Sequence, residues 1–159
     1  MRELNGNIFD IPYKRDNSEA ICVTTNCSIN DDGKAVMEVG IAREFKEKFP
    51  AIDYRLALHL QRNGNVPGIL GIYDGLSIIS FPTKYESGDP SEIELVGQSA
   101  RILRNIINET NYETIYLPEP GTGMGGLKWV DVRDTISPYL DDRFILVHYE
   151  GVEKYNVSK

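Results

Sequence analysis

Residues Pro118-Glu119-Pro120-Gly121-Thr122-Gly123-Met124-Gly125-Gly126-Leu127-Lys128-Trp129 place four glycines within six positions, between a strand-like run and a helix-like run. That order is the layout of an anion cradle. Glycines let backbone N–H groups converge where a Cβ would stand in the way, and a helix beginning just beyond adds its positive end. A phosphate-bearing ligand is the first chemical expectation, and the alternative is a Gly-rich connector that holds nothing. The segment lacks the Gly-Lys-Ser/Thr ending of a Walker loop and lies too close to the C-terminal end for an opening dinucleotide fingerprint.

A second segment has a compatible character. After the run Ala20–Thr24 come Thr25, Asn26 and Cys27, then Ala35-Val36-Met37-Glu38-Val39-Gly40-Ile41-Ala42. An Asn just past a buried strand can offer its amide to a sugar hydroxyl, and Gly40 at a helix start exposes N–H groups to phosphate; the alternative is a turn with an Asn cap. Lys84 follows a buried run and Pro82, so its amine can enter a cleft as an electrophile or a nucleophile, or stay in solvent within a polar loop.

The other chemistry-bearing residues offer less. His59 and His148 fall in helix and strand patterns with no carboxylate at ligand spacing. Asp31-Asp32 could hold Mg²⁺ near a diphosphate but reads first as a solvated turn, as does Asp141-Asp142. Trp129 reads as packing behind the Gly-rich loop. Cys22 and Cys27, the only two cysteines, read as reduced thiols. No metal and no cofactor are expected.

These residues need a frame. Short β-branched or aromatic runs at Ala20–Thr24, Gly68–Tyr73, Leu76–Phe81, Thr114–Leu117 and Phe144–His148 alternate with helical patterns at Gly40–Phe49, Ile52–Arg62, Ser91–Asn108 and Val130–Leu140. Ser91-x-x-Glu94 has the form of a capping box, and Asp74-Gly75 marks a hairpin. Such alternation predicts an α/β fold with a mostly parallel sheet covered on both sides by helices, whose ligands lie beyond the carboxyl ends of strands. Both loops fall at such ends.

Composition sets outer bounds. The chain has 159 residues, 41% of them hydrophobic and 26% charged, which fits one domain, 1–159, around a well-buried core. No apolar run reaches the ~20 residues of a membrane span and no signal-peptide pattern opens the chain, so a cytoplasmic protein is expected. The net charge of -7 speaks against a general nucleic-acid binder, although a local basic strip remains open. A monomer is expected.

The two loops together resemble those of the macro domain family: strand–Thr-Thr-Asn…Ala-Val-Met-x-x-Gly-Ile-Ala–helix, and strand–Pro-x-Pro-Gly-x-Gly-x-Gly-Gly-Leu-x-Trp–helix. The resemblance extends over nearly the whole chain. Gly6-Asn7-Ile8-Phe9 is similar to the family's first-strand Gly-Asp-Ile segment, Phe45–Pro50 to the end of its first helix, and Ile78–Lys84 to its central strand. Lys84 and Gly125-Gly126-Leu127-Lys128-Trp129 look closest to the branch of terminal ADP-ribose glycohydrolases, DNA ADP-ribosyl glycohydrolase antitoxins and stand-alone bacterial or phage macro proteins.

The resemblance implies a three-layer α/β/α sandwich with a mixed, mostly parallel sheet and an ADP-ribose cleft at its top. By position, Asn7 and Ile8 would contact the adenine and Asn26 a hydroxyl of the distal ribose. Gly40, Ile41 and Ala42 would line that ribose and the diphosphate, and Gly121, Thr122, Gly123, Met124 and Gly125 would wrap the diphosphate. Asn7 stands where the family usually has Asp, Glu38 falls within its usual Met-Gly-x-Gly stretch, and Gly125 stands where the terminal glycohydrolases carry Asp. The partner implied is ADP-ribose or an ADP-ribosylated substrate, with nucleic acid only as a modified substrate. A chain read as one domain with no second module favours an enzyme. Three activities are open: removal of ADP-ribose from protein or nucleic acid, with Lys84, Glu38 or Asn26 as catalytic candidates; phosphatase action on ADP-ribose 1''-phosphate; and non-catalytic reading of ADP-ribose.

Overall fold

In β2 (Glu19–Thr25), Ile21 and Val23 turn to one side of the sheet while Ala20 and Cys22 turn to the other, and all four are essentially inaccessible to solvent. Period-two alternation with apolar residues on both faces forces helices onto both faces. A computed structural model describes residues 1–149 and shows that arrangement. Its elements are β1 (Arg2–Gly6), β2, α1 (Gly40–Lys48), α2 (Ile52–Asn63), β3 (Gly68–Tyr73), β4 (Leu76–Pro82), α3 (Ile93–Asn108), β5 (Thr114–Pro118), α4 (Trp129–Ile136) and β6 (Phe144–Tyr149).

The six strands lie in the order β1-β6-β5-β2-β4-β3, every pair parallel except β3 with β4. Phe45, Ile52 and Leu56 of α1 and α2 pack on Ile21, Val23 and Ile78. On the opposite face Val96, Leu103 and Ile107 of α3 and Val132 and Ile136 of α4 pack on Ala20, Ile79, Leu117 and Leu146. The fold is a three-layer α/β/α sandwich with a mixed, mostly parallel sheet.

The β3–β4 hairpin turns through Asp74 at φ 50° and Gly75 at φ 77°, two consecutive left-handed residues as the Asp-Gly pair predicts. Gly75 is required twice over, because a Cβ there would also collide with the Arg15 carbonyl.

Three elements differ from the sequence reading. The Gly6–Phe9 segment does not form the first strand; β1 ends at Gly6 and Ile8–Asp10 form a single 3-10 turn. Residues 2–5 are exposed and alternate without an apolar face, so only parallel pairing to β6 makes them a strand. The capping box does not form. The cap position of α3 is Glu92, without a side-chain bond, because the Ser91 N–H donates to the Gly125 carbonyl at 3.0 Å and the Glu92 N–H to the Thr83 carbonyl at 2.9 Å. Tertiary ties have outcompeted the local motif. Finally α4 starts one residue early and stops at Ile136 rather than Leu140. Pro138 has no N–H to give the Asp134 carbonyl, and the chain leaves through turns at Tyr139 and Leu140.

Candidate functional site

The carboxyl ends of β2, β4 and β5 open at one edge of the sheet, and the segments that leave them build a cleft. Its first wall is the β2–α1 connection. Asn26, 9% exposed, accepts from Ser28 N at 2.9 Å and donates from Nδ2 to the Val36 carbonyl at 3.2 Å, which folds the connection back on itself. One amide hydrogen and one lone pair of Asn26 remain for a ligand. α1 then starts at Gly40, φ 59°, behind Val39 with no side-chain cap, so the N–H groups of its first turn are left for something outside the helix.

The second wall is the Gly-rich loop. Gly125, Gly126 and Leu127 close onto the carbonyls of Thr122, Gly123 and Gly121 at 3.2, 3.1 and 3.0 Å. Among the described residues no acceptor takes the N–H of Gly121, Thr122, Gly123 or Met124. Four consecutive donors therefore lie free in a turn whose glycines Gly121 and Gly123 sit at φ 88° and 63°. An ideal Cβ on Gly123 would meet no protein atom within 4 Å, and the residue borders the outer hollow. Gly125 differs: a Cβ there would run into the Ser91 hydroxyl.

The floor is the stretch after β4. Thr83 N donates to the Thr25 carbonyl at 3.0 Å, Asn65 Nδ2 to the Lys84 carbonyl at 3.2 Å and Cys27 N to the Tyr85 carbonyl at 2.9 Å. The Lys84 backbone is thus fixed on both sides, while its ammonium has no ion-pair or hydrogen-bond partner among the described residues. Thr25, 4% exposed, has a hydroxyl with no partner in the same region.

Two hollows share this frame. The inner one, ≈130 Å³, is lined by Thr25, Asn26, Glu38, Thr83, Lys84, Ser91 and Gly125 among others. The outer one, ≈650 Å³, is lined by Asn7, Ile8, Phe9, Val147 and Tyr149. Gly40, Ile41, Glu119 and Thr122 border both, so the hollows are two ends of one cleft with the two N–H-rich turns at its waist. The outer end is apolar with a few polar groups, as a ring-binding pocket should be.

The candidates named from sequence fall along this cleft. Lys84, Asn26 and Glu38 gather at the inner end; Gly40, Ile41 and Thr122 at the waist; Asn7, Ile8 and Gly123 at the outer end; Ala42, Gly121, Met124 and Gly125 border the inner hollow. Asn7 caps the 3-10 turn, its Oδ1 accepting from Phe9 N at 2.9 Å. Glu38 is exposed and pairs with Lys46 at 3.1 Å.

The surroundings of His148 were not legible from local spacing. His148 has carboxylates on both ring nitrogens: Glu119 at 2.6 Å from Nδ1 and Glu3 at 2.7 Å from Nε2. They come from 29 and 145 residues away, out of reach of any local spacing rule. Burial alone would push the imidazole pKa down, but the bonds to Glu119 and Glu3 outweigh it and the net shift is upward. Trp129 packs its ring edge-on against His148 at 5.0 Å, behind the loop. Glu119 itself was missed. Its flanking prolines at a strand end were the available signal, since they fix where its side chain leaves the sheet.

Asp31 and Asp32 are exposed in a turn, and no group of three or more His, Cys, Asp or Glu side chains suited to a metal ion occurs among the described residues. No helix among them is long and apolar enough to cross a membrane.

Comparison with known proteins finds curated relatives and solved structural neighbours. No family model matches the chain. A curated relative, the DNA ADP-ribosyl glycohydrolase of Thermus aquaticus, is 31% identical over 96% of this chain and 39% of its own length. The chain spans between 35% and 39% of the length of the curated relatives it matches. Among solved structures, the macrodomain of Thermus aquaticus DarG superposes with TM-score 0.71 at 30% identity, covering 94% of this chain and 97% of that one. The macrodomain of Mycobacterium tuberculosis DarG superposes with TM-score 0.68 at 28% identity, covering 86% and 91%.

Proposed function

The chain belongs to the macrodomain family, and from that premise we propose that its cleft binds ADP-ribose and that the protein hydrolyses the bond between the distal ribose and an acceptor. The observation that carries the binding half is the run of four unpartnered N–H groups from Gly121 to Met124, facing the uncapped first turn of α1 across the waist of the cleft. A diphosphate between two such turns would receive donors from both sides and the positive end of α1 from one. The adenine would then enter the outer hollow, over Ile8 and beside Asn7, and the distal ribose the inner one, beside Asn26, Ile41 and Ala42.

The catalytic half rests on Lys84. Hydrolysis adds water across the ribose C1''–acceptor bond: the oxygen goes to C1'' and a proton to the departing acceptor. Lys84 is the cation without a partner at the inner end, on a backbone fixed from both sides, so it is placed to assist departure of the acceptor or to engage C1'' directly. Asn26 orients the ribose. Glu38, held by Lys46, has the smaller role.

The name of the curated relatives supports DNA-linked ADP-ribose as the first substrate to try, ahead of the protein-linked or small substrate that the net charge favours. The experiment is a chromatographic product assay on DNA-, Glu- and Ser-linked ADP-ribose and on ADP-ribose 1''-phosphate. Release of ADP-ribose from at least one linked substrate, lost in Lys84→Ala, is expected. Release of phosphate from the small molecule alone would move the activity to a phosphatase, and release from none would make the protein a reader.

A further inference from the structure

Glu119 poses an electrostatic problem. Glu119 borders both ends of the cleft, at the waist assigned to a doubly negative diphosphate, and its carboxylate is bonded to Thr122 of the Gly-rich loop. Two like charges in a partly desolvated groove repel. Both oxygens are occupied: Oε1 accepts from Thr122 Oγ1 at 2.9 Å and Oε2 from His148 Nδ1 at 2.6 Å. The first bond holds the Gly-rich loop to the end of β5, so the carboxylate shapes the loop that it would otherwise poison.

We propose that His148 is a positioning residue for the diphosphate subsite, its protonated ring compensating the charge of Glu119 so that anion binding at the waist depends on pH. This rests on the reading of the cleft as an ADP-ribose site. Geometry carries it. An ionised carboxylate only accepts hydrogen bonds, and a neutral imidazole donates from one nitrogen only. With Glu119 at 2.6 Å and Glu3 at 2.7 Å on opposite nitrogens, both bonds are satisfied only by the doubly protonated ring. The charged groups that bear on the ring are Glu3 from β1, Glu119 from the end of β5, and Arg133 from α4, which acts through Glu3 at 3.4 Å; Trp129 packs edge-on against the ring. The two carboxylates outnumber the one guanidinium, which fits the upward shift of the ring's pKa.

A bound diphosphate adds negative charge near Glu119 and so favours the proton on His148 further. By linkage, protonation must favour the diphosphate equally. Affinity for ADP-ribose should be greatest where His148 is charged and should fall as pH rises through the value for the free protein. The diphosphate has no proton to lose in that range, so the dependence belongs to the protein.

The test is calorimetric titration of ADP-ribose into the full chain at about pH 6 and about pH 9, for wild type, His148→Gln and Glu119→Gln. Wild type should weaken roughly fivefold at the higher pH, and His148→Gln, which can still donate to Glu119 but carries no charge, should bind with the weaker affinity at both. In Glu119→Gln the pH dependence should move to lower pH, because the ring has lost a carboxylate. A proton NMR titration of the free protein, which has two histidines to assign, should find His148 half-protonated above about pH 6.5. A wild type that binds ADP-ribose with one affinity at both pH values, or a His148 ring that titrates at or below that value, overturns the proposal. Binding at neither pH would sink the reading of the cleft and the proposal with it, while the ring titration would still report whether the charge at Glu119 was compensated.

Discussion

The Asn65 amide donates to the Lys84 carbonyl at 3.2 Å, so the segment leading into β3 fixes the backbone of the free cation at the inner end of the cleft. Asn65 makes no use of its own buried Oδ1, which has no partner among the described residues. A lysine whose ammonium is unpaired but whose backbone is tied three ways, through Thr83, Lys84 and Tyr85, loses little further backbone freedom in reaching a transition state.

Lys84→Ala should lower turnover on the accepted substrate by roughly 10²-fold or more while changing ADP-ribose affinity by less than ~1 kcal/mol, because a group acting mainly in the transition state adds little to ground-state binding. Single-turnover rates and calorimetry together check this. An equal loss in both would make Lys84 a binding residue. Glu38→Gln is the companion: with its carboxylate engaged by Lys46, it should leave turnover within about threefold of wild type.

Gly123→Val should abolish ADP-ribose binding and leave the fold intact. The residue sits at φ 63°, where a branched side chain costs roughly 1–2 kcal/mol, and its Cβ would enter open space beside the proposed diphosphate subsite rather than protein. Thermal melting should fall by only a few degrees. Retained affinity would reduce the loop to a connector.

The Ser91–Gly125 contact gives a coupled test. Gly125→Ala should weaken ADP-ribose binding about tenfold, because the new Cβ would press on Ser91, whose own Cβ lies 2.9 Å away, and displace the loop. Ser91→Gly should restore much of that loss in the double variant. Additive effects in the double-mutant cycle would show that the two positions do not touch in solution.

The outcome for these two loops shows what was legible in the chain. Glycine spacing, the Asn after β2 and the helix start at Gly40 are local signals, and they located both walls of the cleft. The capping box at Ser91 failed, and the surroundings of His148 stayed out of sight, because the partners of both are remote. A capping box is a short-range bargain between Ser91 and Glu94, and backbone bonds to Thr83 and Gly125 displaced it. Glu3 reaches His148 only because β1 pairs with β6 from the far end of the chain, and β1 itself carries no apolar alternation to announce it. Glu119 was visible as a carboxylate between prolines, but its role depends on Thr122 and His148 together.

His148 also makes stability depend on pH. Its folded-state pKa lies above the ordinary value of about 6.5, so its contribution is complete below that value and is lost as pH rises through the folded one. The wild-type melting temperature should therefore fall between about pH 6.5 and the folded value, and the fall should be absent from His148→Gln. Scanning calorimetry across that window checks the sign; a wild type that becomes more stable there would contradict the charged ring.

Asn7 tests the outer end. Asp at this position could keep the cap on Phe9 N while offering a charged acceptor to the adenine amino group, so Asn7→Asp should tighten ADP-ribose binding by up to ~1 kcal/mol. Unchanged or weaker binding would put the adenine elsewhere.

The most direct measurement is calorimetric titration of the wild-type chain with ADP-ribose near neutral pH. Two N–H-rich turns facing each other across one waist predict a single site of micromolar affinity or better, about -8 kcal/mol, with AMP binding more weakly. Absence of heat and of any thermal shift with millimolar ADP-ribose would contradict the account at its centre.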